Sequence, residues 1–333
     1  MNGRSRRRGG QARRYRGHRR GKKWLERRKR TRTLVVSAIL FVLILLFSLF
    51  PALSEGYMRH VYPLVATGLS FVSGLFPFSL YDLFLIVAMV WLLMLILFAF
   101  IRRSGFVRFL FSLLRFVTVV VAWFYFSWGI AYFREDFHTR GNVEEVPYDS
   151  EQFKDFATRF VEQANRAYDG RTGVYSAGMD KEGVRQEIES VYQRLQGPLR
   201  VAYPNGKRRV KPMMFQSLYS KTGVSGYFGP FFNEIHVNDY SLDFTYPFTL
   251  AHEMAHQFGV GPESEANLYA FVTCASSGDP RVRYSAYAST LGYVLNDAYR
   301  FLPDEYVPEA RGESSKGRRQ GCAALGRVAE EAA

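Results

Sequence analysis

Residues 247–267 read PFTLAHEMAHQFGVGPESEAN, and the reading of this stretch decides the fold of the chain's soluble part. Pro247 is a favoured first-turn residue and Gly259 a natural helix stop, so a helix is predicted between them. At 3.6 residues per turn, His252 and His256 leave one face about one turn apart, the spacing at which two imidazoles reach a single tetrahedral ion. Glu253 stands on the adjoining face. There it can hydrogen-bond a water activated by the ion and act as general base without being a ligand. The pattern predicts a zinc (Zn2+) centre that lacks one protein ligand. After a turn through Val260 and Gly261 the chain restarts at Pro262 as a second helix. There Glu263-Ser264-Glu265-Ala266-Asn267 has the form Glu-x-x-(Ala/Ser)-(Asp/Asn) from which zinc sites draw a carboxylate. Glu263 is the ligand on that fit, with Glu265 as the alternative. Asn267, one turn on, is placed to orient a histidine ring.

A lone His-Glu-x-x-His also arises by chance on amphipathic helices. Here the flanking helix signals, the short Gly-containing turn and the following carboxylate motif argue for a metal centre. The other histidines, His18, His60, His138 and His236, have no assigned role, and His236 in FNEIHVN reads as a polar strand residue.

Working outward, residues 151–168 and 180–195 carry apolar side chains at helical spacing, the second helix starting from an Asp180 N-cap. Segments 208–214 and 226–238 read as short extended pieces, and 284–301 as another helix. The hairpin pattern over 225–238, broken by Gly and Pro, either offers an edge for adding a substrate strand or is a plain structural hairpin. Tyr227, Arg283, Tyr284 and Tyr287 are candidate oxyanion donors. Two cysteines exclude a disulfide framework, and Cys274 reads as a free thiol packed on a helix, with Cys322 in the polar 308–333 tail. That tail has the composition of a disordered segment.

Towards the N-terminus, three apolar runs are long enough to cross a bilayer: 34–53, 83–101 and 109–132. In the third, Arg115 can snorkel near one end, and Trp123, Tyr125, Trp128 and Tyr132 suit an interfacial belt at the other. Residues 57–80 are apolar but interrupted by Pro63, Gly74 and Pro77. They allow an interfacial or re-entrant helix, or a fourth short span. Residues 1–32 hold sixteen Lys or Arg against one acid, so they carry +15 of the net +14 and the rest of the chain is close to neutral. This basic 1–33 tail, expected to be disordered, reads as a topology signal lying on anionic lipid, not as a specific nucleic-acid reader. With Arg102, Arg103 and Arg108 between the second and third runs, the positive-inside rule places the N-terminus in the cytoplasm and residues 134–307 outside it.

The blocks YPLVATGLSFVSGLFPFSLYDL, FSWGIAYFRE, VKPMMFQ, GVSGYFGPFFNEIHVN, PFTLAHEMAHQFGV, ESEANLYAF and RYSAYASTLGYVLN together resemble a family of bacterial multi-pass membrane proteins. That family is filed as a domain of unknown function and carries a zincin-type motif. The similarity covers about residues 55–305. It implies an integral protein of the bacterial inner membrane with a zinc peptidase domain, and no established substrate. More distantly, ESEAN resembles the third-ligand helix of prenyl-protein and phage-repressor-cleaving peptidases. The short spacing from His256 to Glu263 departs from both, so no substrate is carried over.

The expectation is therefore an α-helical transmembrane region of three spans, followed by a mainly α, α+β zincin-like domain with a short edge hairpin. Its function would be zinc-dependent hydrolysis of a peptide or protein substrate beside membrane lipid, gluzincin-like, with Glu253 as base. A non-catalytic scaffold with a structural metal and a cell-wall amidase are the alternatives.

Overall fold

The computed structural model describes residues 4–101, 105–168, 180–201, 208–240 and 242–302, with main chain alone for 4–23 and 299. Arg102, Arg103, Cys322 and the 308–333 tail lie outside the described residues. The chain forms two compact units, one from residues up to Phe50 together with 84–126, the other from 51–83 together with 127 onward.

The first unit is built on three long helices: α1 (Arg4–Leu49), α4 (Leu80–Ile101) and α5 (Phe106–Ser127). Each is long and apolar enough to cross a membrane, with mean hydropathy 2.5, 3.1 and 2.0 over an 18-residue stretch within Trp24–Leu49, α4 and α5 respectively. Almost none of their apolar surface is buried, as lipid-facing helices require. A hydrogen bond of 2.7 Å between Ser37 Oγ and Thr118 Oγ1 joins α1 to α5.

Two boundaries differ from the sequence reading. The basic segment, expected to lack structure, continues α1 back to Arg4; Arg and Lys are good helix formers, and extending an existing helix avoids a second nucleation. The first span stops at Leu49 instead of 53, because Pro51 disfavours helical geometry at Phe50 and opens a new helix. At α4, Ser79 Oγ accepts from the Asp82 N–H at 2.9 Å and sets the start.

The second unit contains α2 (Pro51–His60), α3 (Tyr62–Gly74), a short 3-10 helix (Gly129–Phe133), α6 (Phe137–Gly141), α7 (Ser150–Ala167), α8 (Lys181–Leu195), β1 (Val210–Lys211), α9 (Gln216–Lys221), β2 (Gly226–Gly229), β3 (Glu234–Val237), α10 (Tyr246–Gln257), α11 (Glu263–Ala275) and α12 (Pro280–Phe301). The Asp180 side chain caps α8 as expected. The strands lie in the order β1-β3-β2, with β1 parallel to β3 and β2 antiparallel to it, Tyr227 opposite His236. The hairpin is therefore present, and β2 is an edge. At the centre of the core is α10, whose Leu250, Ala251 and Ala255 are completely buried against α8, α11, α12 and the sheet.

Residues 57–80 do not form a fourth span. The 13-residue α3 is too short to cross, and its Tyr62 and Ala66, with Met58 of α2, are buried in the second unit. The Tyr62 hydroxyl donates to the Gln257 carbonyl at 2.7 Å and accepts from Asn233 at 2.9 Å. Glu55 of α2 takes Arg134 through two contacts of 2.7 and 2.9 Å, and Arg134 also donates to the Gly259 carbonyl at 2.8 Å. The domain expected at 134–307 thus also takes in 51–83 and 127–133. Three crossings require these pieces to emerge on one side of the membrane, which their shared core satisfies.

Candidate metal centre

Pro247 sits in the first turn of α10, and the helix ends where Gly259 adopts φ +86°. In that left-handed geometry the Val260 N–H reaches the Ala255 carbonyl at 3.1 Å, closing the C-terminus. Gly261 then passes so close to the 3-10 helix that a Cβ there would stand 2.7 Å from the Ala131 carbonyl oxygen. The chain turns once more at Pro262, and α11 begins on Glu263.

This turn brings His252, His256 and Glu263 together. The Nε2 atoms of the histidines are 3.1 Å apart, and the Glu263 carboxylate is 3.1 Å from His252 Nε2 and 3.4 Å from His256 Nε2. Ligand atoms about 2.0–2.1 Å from a tetrahedral ion stand about 3.3 Å from one another, so the three fit the edges of such a polyhedron. The outer nitrogens settle the tautomers. His256 Nδ1 lies 2.8 Å from the Val260 carbonyl and His252 Nδ1 2.9 Å from Asn267 Oδ1. Both oxygens can only accept, so each Nδ1 carries the proton and each Nε2 turns a lone pair inward. Two lone pairs and a carboxylate facing one point repel each other unless a cation sits between them. The donor set, two imidazoles and one carboxylate, suits zinc.

Burial holds His252 below its ordinary pKa, with His256 adding to the effect. His256 is raised, burial being outweighed by the hydrogen bond that a protonated Nε2 gives Glu263 when no cation is between them, and by the charge of Glu253. The Glu263 carboxyl is lowered, chiefly by that same bond from protonated His256. Its side chain is 74% exposed, so one side of the centre is open.

Glu253 is buried beside the centre, and burial pushes its carboxyl up to about 8, with His256 opposing and Glu263 reinforcing. Space for it comes from Gly226 at the start of β2, where a Cβ would stand 2.9 Å from Glu253 Oε1 and 2.8 Å from Thr249 Cγ2. The edge strand therefore passes directly over the carboxyl.

The structure separates the two glutamates of α11. Glu265 turns away to Arg140, 2.7 Å from Nη2, and accepts from the Phe137 N–H at 3.1 Å. Two of the candidate oxyanion donors are engaged elsewhere. Tyr227 donates to Asp82 at 2.7 Å and Arg283 to the Ser277 carbonyl at 2.7 Å. The rings of Tyr284 and Tyr287 pack on Tyr168 and Phe160. His236 is a buried strand residue 2.8 Å from Ser79 Oγ, and burial pushes it down to about 4. Cys274 is a buried free thiol.

One residue assigned to a membrane belt belongs here instead. α5 ends at Ser127, so Trp128 is buried in the domain with its ring 5.9 Å from that of His256. Tyr132 packs edge-on against Trp128 at 5.1 Å, and its hydroxyl has no hydrogen-bond partner among the described residues. Burial raises the phenol's pKa, and the nearby Glu263 carboxylate raises it further.

The chain belongs to the family described as a protein of unknown function (DUF3810), whose model matches residues 57–321. That match starts inside α2 and takes in the whole centre. No curated protein and no solved structure matches the chain.

Proposed function

We propose that this DUF3810 member is a membrane-anchored, zinc-dependent hydrolase, an endopeptidase of zincin type. The observation that carries the reading is the trio of ligand atoms 3.1–3.4 Å apart with both imidazole Nδ1 atoms bonded outward. When bound, zinc would supply Lewis acidity, lowering the pKa of a water from 15.7 toward about 7 and polarising the substrate carbonyl. His252, His256 and Glu263 would hold that ion, and Asn267 and the Val260 carbonyl would keep the rings in their ligating tautomer. A cation beside Glu253 would favour its ionised form against burial, and the carboxylate then takes the proton of the attacking water and returns it to the leaving nitrogen, so it is regenerated each turnover. The Tyr132 hydroxyl, which has no hydrogen-bond partner among the described residues and feels the Glu263 carboxylate, is the donor we assign to the carbonyl oxygen as it gains charge. The basic N-terminal segment supports, by the positive-inside rule, a domain at the outer face of a bacterial inner membrane.

A structural zinc in a scaffold would be closed by four ligands and would not need a buried carboxyl beside it. A cell-wall amide is the second substrate class such a site could hydrolyse. The test is cleavage of casein and of peptidoglycan by the full chain in detergent, with and without chelator. Glu253→Gln should retain one zinc per chain and lose hydrolysis; hydrolysis that survives it sinks the mechanism.

A further inference from the structure

Three features of the second unit bear on where a substrate must come from, given the hydrolase reading above. The first is the course of β2. Its first residue, Gly226, lies against Glu253, and its last, Gly229, lies against Tyr81, whose Cβ would be 2.9 Å from a Cβ built there. Tyr81 is the second residue of α4, so this four-residue strand, about 10 Å long, connects the reacting carboxyl to the first turn of a membrane-crossing helix. The other side of β2 pairs with no strand among the described residues.

Trp128 is the second feature. It is the first residue beyond α5 and donates to the His256 carbonyl at 2.7 Å, so a second membrane helix ends within one residue of a side chain bonded to the ligand helix. The third is α3, which five residues separate from α4. Val61, Leu64, Gly68, Phe71, Val72 and Leu75 are exposed at helical spacing, while Tyr62, Ala66, Ser70 and Ser73 face the core. An apolar exposed face tied this closely to a membrane helix suits the headgroup boundary of the bilayer.

We propose that the substrate is a membrane-anchored polypeptide, taken as a strand along the free edge of β2 and cut in the first residues beyond its own membrane helix. Main-chain hydrogen bonds to an edge strand accept varied side chains, so position relative to the bilayer, more than sequence, selects the bond. At about 3.3 Å per residue, an extended segment covers the length of β2 in three or four residues, which sets the cut at roughly four to ten residues from the membrane.

The test uses the zinc-loaded full chain in phosphatidylethanolamine–phosphatidylglycerol vesicles. The probe is a synthetic peptide with a leucine-rich membrane helix followed by twenty mixed residues, carrying one photo-leucine stepped along that segment. A second peptide lacks the helix. With Glu253→Gln, crosslinks mapped by mass spectrometry should fall on residues 224–229 and come from the membrane-proximal positions, at least tenfold above the distal ones. Mere concentration at the vesicle surface would give no such gradient. Even crosslinking along the segment, distal crosslinks only, or none at 224–229 overturns the proposal. Wild-type cleavage separates the two readings. A gradient without cleavage leaves strand docking standing and removes the hydrolase, whereas equal cleavage of both peptides without a gradient does the reverse.

Discussion

The indole N–H of Trp128 donates to the main-chain carbonyl of His256 at 2.7 Å, joining the residue that follows an apolar helix long enough to cross a membrane to one of the candidate metal ligands. The same carbonyl accepts from the Gly259 N–H at 3.0 Å, so it stays bonded if the indole is lost. Trp128→Phe should therefore destabilise the domain by about 1–3 kcal/mol, from one hydrogen bond and a smaller ring. Thermal unfolding in detergent measures this, and zinc affinity should fall with it. An unchanged melting temperature would show that the indole contributes nothing.

Glu263 and Glu265 separate by metal content and stability. Glu263→Gln should lower zinc affinity by at least tenfold and leave the fold intact, its side chain being largely exposed. Glu265→Gln should keep one zinc per chain but strand Arg140, whose side chain is 2% exposed, at a loss of about 3–5 kcal/mol. Elemental analysis with melting curves distinguishes them. Full zinc in Glu263→Gln would transfer the ligand role away from it.

Gly226→Ala puts a methyl group into the Glu253 carboxyl, Thr249 and the His236 carbonyl oxygen, the last at 3.0 Å and unable to swing aside. The edge strand has to shift. Hydrolysis should fall at least tenfold while zinc content is unchanged, a split visible by comparing turnover with metal analysis.

The Glu55 carboxyl is held below its ordinary value of 4.5, its burial opposing the shift and Arg134 and Arg59 outweighing it. A lowered folded-state pKa means stability that is present above 4.5 and lost as the pH falls through the folded value. Melting temperature should thus drop steeply below about pH 4.5, and Glu55→Gln, already weakened at neutral pH, should show a shallower drop. Parallel acid slopes in the two proteins would exclude Glu55 as a source.

Much of the centre was legible because it is local. His252, Glu253 and His256 share one helix, and their spacing places them without tertiary information. Glu263 follows by a turn whose glycines announce it. The exclusion of Glu265 was not legible, because Arg140 lies 125 residues away in sequence. Trp128 was misassigned for a physical reason: an aromatic residue at the end of an apolar run looks the same whether it meets headgroups or folds back into protein. Residues 57–80 were ambiguous for a related cause. α3 is apolar on its exposed face and also buries Tyr62 and Ala66, so no single period separates the two. The sheet escaped in part, since β1 has two residues and exists only through its pairing with β3.

The domain is also split by the order in which it is made. Residues 51–83, which supply Glu55 and Tyr62 to the core, leave the ribosome well before Arg134 and Gln257, their partners. Two membrane helices, α4 and α5, must be synthesised and inserted in between. The early piece then waits with its apolar face uncovered for a few seconds at least, at about 5–20 residues per second. A chain whose third helix failed to cross would leave the two pieces on opposite sides of the bilayer. The Tyr62 contact that fastens the end of the ligand helix could not form. Correct insertion is therefore a built-in checkpoint on when the centre can assemble.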